Sequence, residues 1–273
     1  MGRTGGTRTG VLIDIDGVLT VSWEPLPGAV AAMAALRDAG YPFALVTNNT
    51  SRTRASIAAK LSGLGFPVGA DDVLTAPAAT AGYLRAHHPD ARCTLLTSGD
   101  VRDDLEGVTL VDAADSPDIV VLGGAGEAFT YEALNQVFRQ LDRGARLVAM
   151  HRNLYWRTSG GLDLDTGAFL LGLERAAGVE AVVTGKPAEA FFAAALAHLG
   201  ITAQAAVMIG DDVESDVLAA QRHGITGVLV RTGKFRPETL RNAPGEPDHV
   251  VDSFADLPAL LPALVRHHAD GAR

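Results

Sequence analysis

An apolar segment that ends in two aspartates constrains the fold of this chain most strongly. Residues 11–13 are Val-Leu-Ile, and Asp14 and Asp16 follow before Gly17. Short apolar runs of this kind are typical of strands buried on both faces of a parallel sheet. An ionised carboxylate is unstable away from water unless it is paired, so the two aspartates indicate a bound cation or a reaction that uses them. The alternative is a buried strand closed by an Asp-Gly turn, with Asp14 as a cap.

A second acidic cluster closes another apolar segment far downstream. Residues 207–209 are Val-Met-Ile, and Gly210 is followed by Asp211 and Asp212. Mg²⁺ takes oxygen ligands and is typically held by one or two carboxylates together with water and substrate phosphate. Asp14 and Asp211 at neighbouring strand ends would supply such ligands. The alternative is a helix N-terminus capped by Asp211 or Asp212, and both interpretations can hold together.

Two polar elements lie between the acidic clusters. Residues 47–51, Thr-Asn-Asn-Thr-Ser, follow the apolar residues 43–46, and this hydroxyl and amide cluster is expected to open a helix and to donate hydrogen bonds to an anion. An ordinary helix cap is the alternative. Lys186 follows Gly185 at the end of another short apolar run. A lysine held beside a phosphate would neutralise its charge, whereas a surface lysine without a role is the alternative.

Apolar segments alternate with helical segments along the chain, which predicts a mainly parallel sheet covered on both faces. Alanine-rich helices are predicted over residues 29–39 and 188–198, each ended by a following glycine. Active sites in open parallel sheets lie at the carboxyl ends of the strands. We therefore expect the aspartates, the threonine and the lysine that follow the apolar runs to share one site.

The four elements around Asp14, Thr47, Lys186 and Asp211, in this order, resemble those of the haloacid dehalogenase superfamily of phosphohydrolases. The long stretch between the second and third elements resembles the subgroup that carries a type IIA cap at this place. Residues 230–237, Val-Arg-Thr-Gly-Lys-Phe-Arg-Pro, are similar to one branch of that subgroup.

The resemblance implies the architecture of the chain. The expected fold is α/β, with a doubly wound, Rossmann-like parallel-sheet core and an inserted α/β type IIA (C2) cap domain. The expected limits are 1–76 for the first part of the core, 77–180 for the cap and 181–273 for the second part of the core.

The resemblance also implies a mechanism and a metal site. Asp14 would be the nucleophile that forms an aspartyl-phosphate, and Asp16 would be the general acid and base. Mg²⁺ would be held by Asp14, the backbone carbonyl of Asp16, and Asp211. Asp212 and Asp216 would orient ligand waters or Lys186 from outside the metal site.

Phosphate binding is implied for three further residues. Thr47 and the backbone amide of Asn48 would bind phosphate oxygens, and Lys186 would pair with the phosphate and with Asp14. The expected activity is hydrolysis of a small phosphorylated metabolite. A phosphotransferase that uses the same intermediate and a non-catalytic binding protein are the alternatives, although the catalytic positions of the family are all present, which argues against a binding protein.

A loop after a predicted cap strand contains residues that could reach the leaving group. This group comprises His151, Arg152, Asn153, Tyr155 and Trp156. A structural role is the alternative, because histidines and aromatic residues in loops more often contribute to packing.

Composition limits the partners and the location. The formal net charge of −9 argues against a nucleic-acid partner, since such proteins usually present a basic face. No apolar run approaches the ~20 residues of a membrane span, so we expect no membrane partner. The single Cys93 excludes an intrachain disulfide, and a cytoplasmic location is the default expectation. A homodimer is compatible with the resemblance, because subgroup members commonly pair through their caps.

Overall fold

The computed structural model describes residues 9–112, 114–158 and 161–270, with side chains described for residues 9–112, 114–156 and 161–264. The chain divides into two compact units. The first unit comprises Met1–Thr47, Ala55–Leu74 and Phe192–Arg273, and the second comprises Asn48–Arg54 and Thr75–Phe191. The sequence-based domain limits at 77 and 180 stay predictions.

The strands of the described residues form two larger parallel sheets and two hairpins. They are β1 (Gly10–Asp14), β2 (Thr20–Val21), β3 (Glu24–Pro25), β4 (Phe43–Thr47), β5 (Val73–Thr75), β6 (Arg92–Leu96), β7 (Thr109–Leu110), β8 (Ile119–Leu122), β9 (Arg146–Ala149), β10 (Tyr155–Thr158), β11 (Gly161–Leu164), β12 (Val182–Val183), β13 (Ala206–Gly210), β14 (Thr226–Val230) and β15 (His249–Val251).

The α-helices cover these sheets. They are α1 (Ala29–Asp38), α2 (Arg54–Gly63), α3 (Ala76–His87), α4 (Tyr131–Asp142), α5 (Thr166–Ala177), α6 (Glu189–Leu199), α7 (Ala219–Arg222), α8 (Pro237–Asn242) and α9 (Leu257–Asp270). A π-helical segment, Val213–Leu218, precedes α7. The helix predicted over 29–39 is confirmed to within one residue, and the helix predicted over 188–198 begins and ends one residue later.

The first unit contains a six-stranded sheet in the order β15-β14-β13-β1-β4-β5. β1 pairs in parallel with β13 on one side and with β4 on the other, so that Ile13 lies between Ile209 and Leu45. These side chains are fully buried with Met33 of α1 and Leu261 of α9. The central position of β1 explains its unbroken apolar sequence, because both faces of the strand are covered.

The second unit is built on a five-stranded sheet in the order β12-β9-β8-β6-β7, with parallel pairing throughout. Alternate residues of β8 face opposite sides: Val121 packs in one core with Leu84 of α3, and Val120 packs in another with Leu141 of α4 and Leu170 of α5. Helices thus cover both faces of this sheet, and the α/β class predicted from the sequence is confirmed.

The helices of the described residues are too short or too polar for any one of them to traverse a lipid bilayer.

Candidate active site

Asp14 and Asp16 lie at the carboxyl end of β1 in different environments. Asp14 is the last residue of the strand and is only 7% exposed, whereas Asp16 is exposed. A tight loop follows, in which the amides of Leu19 and Thr20 donate hydrogen bonds to the carbonyl of Ile15 at 2.9 and 3.2 Å. One carboxylate is therefore enclosed while the other reaches solvent, which suits a nucleophile and a residue that exchanges protons.

Three buried carboxylates converge in the first unit. Oxygen atoms of Asp14, Asp211 and Asp216 all lie within 4.8 Å of one another, and the last two residues are each 2% exposed. Asp211 follows β13, the neighbour of β1, and Asp216 lies in the π-helical segment. Two oxygens on opposite sides of a Mg²⁺ ion are about 4.2 Å apart. The chemistry and spacing of these three residues, called the acidic cluster below, fit a hard divalent cation.

The backbone around Asp211 fits closely against its carboxylate. A Cβ added at Gly17 would lie 2.0 Å from Oδ2 of Asp211, and a Cβ added at Gly233 would lie 2.1 Å from the same atom. The amide of Lys234 donates a hydrogen bond to the same oxygen at 2.7 Å, and the hydroxyl of Thr232 donates to the carbonyl of Gly17 at 2.5 Å. Sequence reasoning noted residues 230–237 only as a family feature and missed their contact with Asp211.

Lys234 and Asp212 lie beside the acidic cluster. The ammonium of Lys234 is 3.9 Å from a carboxylate oxygen of Asp212. Desolvation lowers the pKa of Lys234, but attraction to the carboxylates of Asp211, Asp14, Asp216 and Asp212 outweighs it, so the pKa lies above its usual value. Carboxylates attract a cation to this position, which makes Lys234 a counter-charge of the cluster that sequence reasoning did not identify.

Asp212 caps the π-helical segment. Its carboxylate accepts hydrogen bonds from the amides of Ser215 at 3.0 Å and Glu214 at 3.1 Å. Burial raises the pKa of Asp212, whereas these bonds and the charge of Lys234 lower it, and the net pKa lies below its usual value. The capping alternative considered for this residue is thus realised, and its predicted role in orienting water or Lys186 stays a prediction.

Thr47 ends β4, but the expected helix does not begin there. Thr47 is buried, and α2 begins only at Arg54. The side-chain oxygen of Asn49 accepts hydrogen bonds from the amides of Ser51 and Arg52 at 3.0 and 3.1 Å. A side chain that binds amides two and three residues ahead stabilises a turn in competition with helix, which explains the delayed start of α2.

Asn48 and Lys186 contact each other in the second unit. The side-chain amide of Asn48 donates to the carbonyl of Lys186 at 2.8 Å and accepts from its amide at 2.8 Å. Lys186 is 5% exposed. Of the predicted site residues, the structure therefore brings together Asp14, Asp211 and Asp216 within the first unit, and Asn48 and Lys186 within the second.

His151 is buried in the second unit, as the structural alternative for the loop after β9 implied. It is 2% exposed, and its Nε2 lies 3.3 Å from the hydroxyl of Thr50 and 3.8 Å from a carboxylate oxygen of Asp165. Arg152 forms an ion pair with Glu174. Residues 152–156 of this region are exposed.

The amino-acid sequence matches two family models. One, described as haloacid dehalogenase-like hydrolase, matches residues 11–110, and the other, described as HAD-hydrolase-like, matches residues 183–257. Each acidic segment lies within one of these matches.

Individual proteins are similar to this chain over nearly its whole length. The phospholysine phosphohistidine inorganic pyrophosphate phosphatase of Bos taurus is 37% identical over 274 residues, 98% of this chain and 97% of the relative. The haloacid dehalogenase-like hydrolase domain-containing protein 2 of Homo sapiens is 36% identical over 244 residues, 89% of this chain and 92% of the relative.

Solved structures share the fold. The p-nitrophenyl phosphatase from Archaeoglobus fulgidus superposes with a TM-score of 0.84 at 30% identity, covering 93% of this chain and 99% of that chain. NagD from Escherichia coli K-12 superposes with a TM-score of 0.83 at 26% identity, covering 92% of this chain and 98% of that chain. The chain therefore belongs to the haloacid dehalogenase-like hydrolases, as a phosphohydrolase with a type IIA cap.

Proposed function

We propose that this enzyme is a Mg²⁺-dependent phosphatase that hydrolyses a small phosphorylated metabolite through an aspartyl-phosphate on Asp14. The acidic cluster carries the proposal, because three carboxylates within 4.8 Å of one another repel, and the ammonium of Lys234 beside them balances only part of their charge. The relatives are named for phospholysine, phosphohistidine, inorganic pyrophosphate and p-nitrophenyl phosphate. These names share a phosphoryl group and differ in the rest of the substrate, so the proposal is limited to that class.

The chemical steps are assigned to Asp14 and Asp16. A carboxylate oxygen of Asp14 attacks phosphorus in line, a new P–O bond forms, and the bond to the leaving group breaks. Asp16 donates a proton to the leaving oxygen and then removes a proton from the water that cleaves the aspartyl-phosphate. The exposure of Asp16 supports this role, since a residue that changes protonation twice in each cycle needs access to water.

Charge compensation is assigned to the acidic cluster and to Lys186. Asp14, Asp211 and the backbone carbonyl of Asp16 would hold Mg²⁺, and the position of Asp216 in the cluster makes it a further candidate. Bound there, the cation neutralises charge on the phosphoryl oxygens. Thr47, the backbone amide of Asn48, and Lys186 would bind the phosphate, as in the family mechanism.

Turnover of p-nitrophenyl phosphate with and without Mg²⁺ tests the proposal. Asp14→Asn is expected to reduce the metal-dependent rate to background, because an amide oxygen is a poor nucleophile. Asp16→Asn is expected to reduce it by about 10²–10⁴-fold, the usual contribution of general acid–base catalysis.

Asp38→Asn is the matched control for this experiment. Asp38 is exposed at the end of α1, so the same change of side chain should leave the rate unaltered. Full turnover by Asp14→Asn, or a native enzyme indifferent to Mg²⁺, would contradict the proposal. Transfer of phosphate to an added acceptor alcohol in preference to water would favour the phosphotransferase alternative.

We also infer that the enzyme forms a homodimer through its second unit, which the family resemblance allows, and that it is cytoplasmic, which is the default expectation from the sequence. Most exposed large hydrophobic residues of the described chain lie on the hairpin of β10 and β11 and on the neighbouring α5. They are Leu154, Tyr155, Trp156, Leu162, Leu164 and Leu171. Tyr155 lies opposite Leu164 in the pairing of β10 with β11, and Leu162 lies two residues from Leu164, so these three share one face of the hairpin, called the hairpin surface below. Large exposed apolar patches commonly mark interfaces between proteins, which supports a second copy of the chain as the partner.

A further inference from the structure

The side chain of Asn48 takes the place of a neighbouring strand at the end of β12. β12 lies at the edge of the five-stranded sheet, and its pairing with β9 continues only as far as the amide of Thr184, which donates to the carbonyl of Ala149 at 3.1 Å. Beyond that point, the amide and carbonyl of Lys186 both bind the side chain of Asn48 at 2.8 Å. In an antiparallel sheet, a residue of the neighbouring strand likewise accepts from the amide and donates to the carbonyl of the residue opposite.

The surroundings leave little freedom for this pair. A Cβ at Gly185 would lie 2.8 Å from Oδ1 of Asn48 and 2.2 Å from the carbonyl oxygen of Met150. The hydroxyl of Thr184 lies 2.6 Å from that of Thr80 on α3. The residues on the amino-terminal side of Lys186 are therefore held by close backbone contacts as well as by hydrogen bonds.

We propose that Asn48 is a positioning residue whose side chain fixes the backbone of Lys186, and through it the lysine ammonium, for phosphate binding. This inference rests on the proposed function. The four-carbon stem of lysine has many rotamers, so the direction of the ammonium is defined only if the backbone and the packing around the stem are fixed. Lys186 is almost completely buried, and Asn48 supplies both backbone hydrogen bonds that the sheet no longer provides.

The two backbone bonds occupy both ends of the Asn48 amide. Oδ1 accepts from the amide of Lys186 and Nδ2 donates to its carbonyl, so the acceptor and the donor of the side chain both recognise the backbone of Lys186. Its backbone amide stays available for the phosphate contact that the family resemblance implies. Asn48 would thus have two roles: its backbone amide would bind the phosphate, and its side chain would position Lys186.

A double-mutant cycle tests this role. Asn48→Ala is expected to lower kcat/KM for p-nitrophenyl phosphate on the order of 10²-fold, the loss that a misplaced catalytic group can cause. In the Lys186→Met background, where the ammonium is already absent, the same change should cost less than about threefold, because residues that act as a unit are not additive.

The control is Asn49→Ala in both backgrounds. Asn49 belongs to the same loop but binds the amides of Ser51 and Arg52, so whatever loss it causes should be equal with and without Lys186. Asn48→Ser serves in the cycle if the alanine variant does not fold, as judged by circular dichroism. The same cycle measured as affinity for inorganic phosphate, by calorimetry with Mg²⁺, requires no turnover.

Equal losses for Asn48→Ala in the two backgrounds, or no loss in either, would overturn the positioning role. A native enzyme without turnover would contradict the proposed function, whereas the phosphate-affinity cycle would still decide the role of Asn48. Absence of both turnover and phosphate binding would contradict both proposals.

Discussion

Gly17 and Gly233 are two positions at which the acidic cluster leaves no room for a side chain. Both have left-handed backbones, with φ of +90° and +60°, and both lie against the carboxylate of Asp211. Any added Cβ must displace Asp211, because the contacts of 2.0 and 2.1 Å are shorter than atoms allow. The position of this carboxylate therefore depends on two backbone segments.

Gly233→Ala is expected to lower Mg²⁺-dependent turnover on the order of 10²-fold and to weaken Mg²⁺ binding, because Asp211 must move. Gly200→Ala is a matched control: its φ is +65°, and no atom of the described residues lies within 4 Å of its added Cβ. The control should reduce the free energy of unfolding by about 1–2 kcal/mol through backbone strain alone and keep full activity. Metal titration and steady-state kinetics of both variants check this, and equal activities would contradict it.

The sequence predicted some residues of the site and missed others for a physical reason. Asp14 and Asp211 could be placed together because each follows an apolar strand, and carboxyl ends of parallel strands meet at one edge of a sheet. The contact of Asn48 with Lys186 joins positions 138 residues apart, and it runs from a side chain to a backbone. The periodicity of apolar residues, from which strands and helices are predicted, gives no information about a contact of this kind.

Among the elements, a buried histidine joins three loops of the second unit. His151 follows β9, contacts Thr50 in segment Asn48–Arg54, and lies beside Asp165. Asp165 caps α5 and also accepts a hydrogen bond from the amide of Ala125 at 3.2 Å. The amide of Asn153 donates to Nδ1 at 3.3 Å, so the proton of the neutral ring is assigned to Nε2.

Burial lowers the pKa of His151 below its usual value, and the nearby charge of Asp165 opposes this only in part. Below about pH 6.5 the unfolded chain therefore binds a proton that the folded chain does not. The contribution of His151 to the free energy of unfolding is therefore complete above that pH. It falls as the pH falls, by at most about 1.4 kcal/mol per pH unit. In His151→Gln, which lacks this titrating group, the free energy of unfolding should decrease less as the pH falls.

Urea unfolding at pH 7.5 and pH 5.5 checks this expectation. The difference in unfolding free energy between the two pH values should be larger for the native protein than for His151→Gln. His198→Gln is a suitable control, because His198 is exposed and its Nε2 lies 2.8 Å from the carbonyl oxygen of Asp71. Identical pH dependences of the native protein and His151→Gln would contradict the role of burial.

Long elements were easier to predict than short ones. The helices α1 and α6 follow from alanine-rich segments ended by glycine, and their predicted bounds differ from the structure by one residue. The π-helical segment could not be predicted, because Asp212 and its neighbours read equally well as the start of an ordinary α-helix. The late start of α2 likewise depends on hydrogen bonds to one side chain, that of Asn49.

For the whole molecule, the hairpin surface is the feature that bears on assembly. Tyr155→Glu combined with Leu164→Glu is expected to weaken dimerisation on the order of 10²-fold or more, because each interface would have to bury unpaired charges. Tyr131→Glu is the control: Tyr131 is 85% exposed but lies on α4, outside the hairpin surface. Light scattering after size-exclusion chromatography measures the mass, and a monomeric native protein or a dimeric double variant would contradict the proposal.

The pairing of β1 with β13 also determines the order in which parts of the fold can form during synthesis. Gly10 lies beside Ala206 of β13, so the strand that bears Asp14 is synthesised long before this one of its two neighbours. The five-stranded sheet of the second unit, by contrast, is complete in sequence once β12 has emerged. On a ribosome this sheet can form while β1, which can already pair with β4, still lacks β13 on its other side. The acidic cluster therefore arises only after residue 216 has been made, which ties the appearance of the proposed metal site to the synthesis of β13 and the segment that follows it.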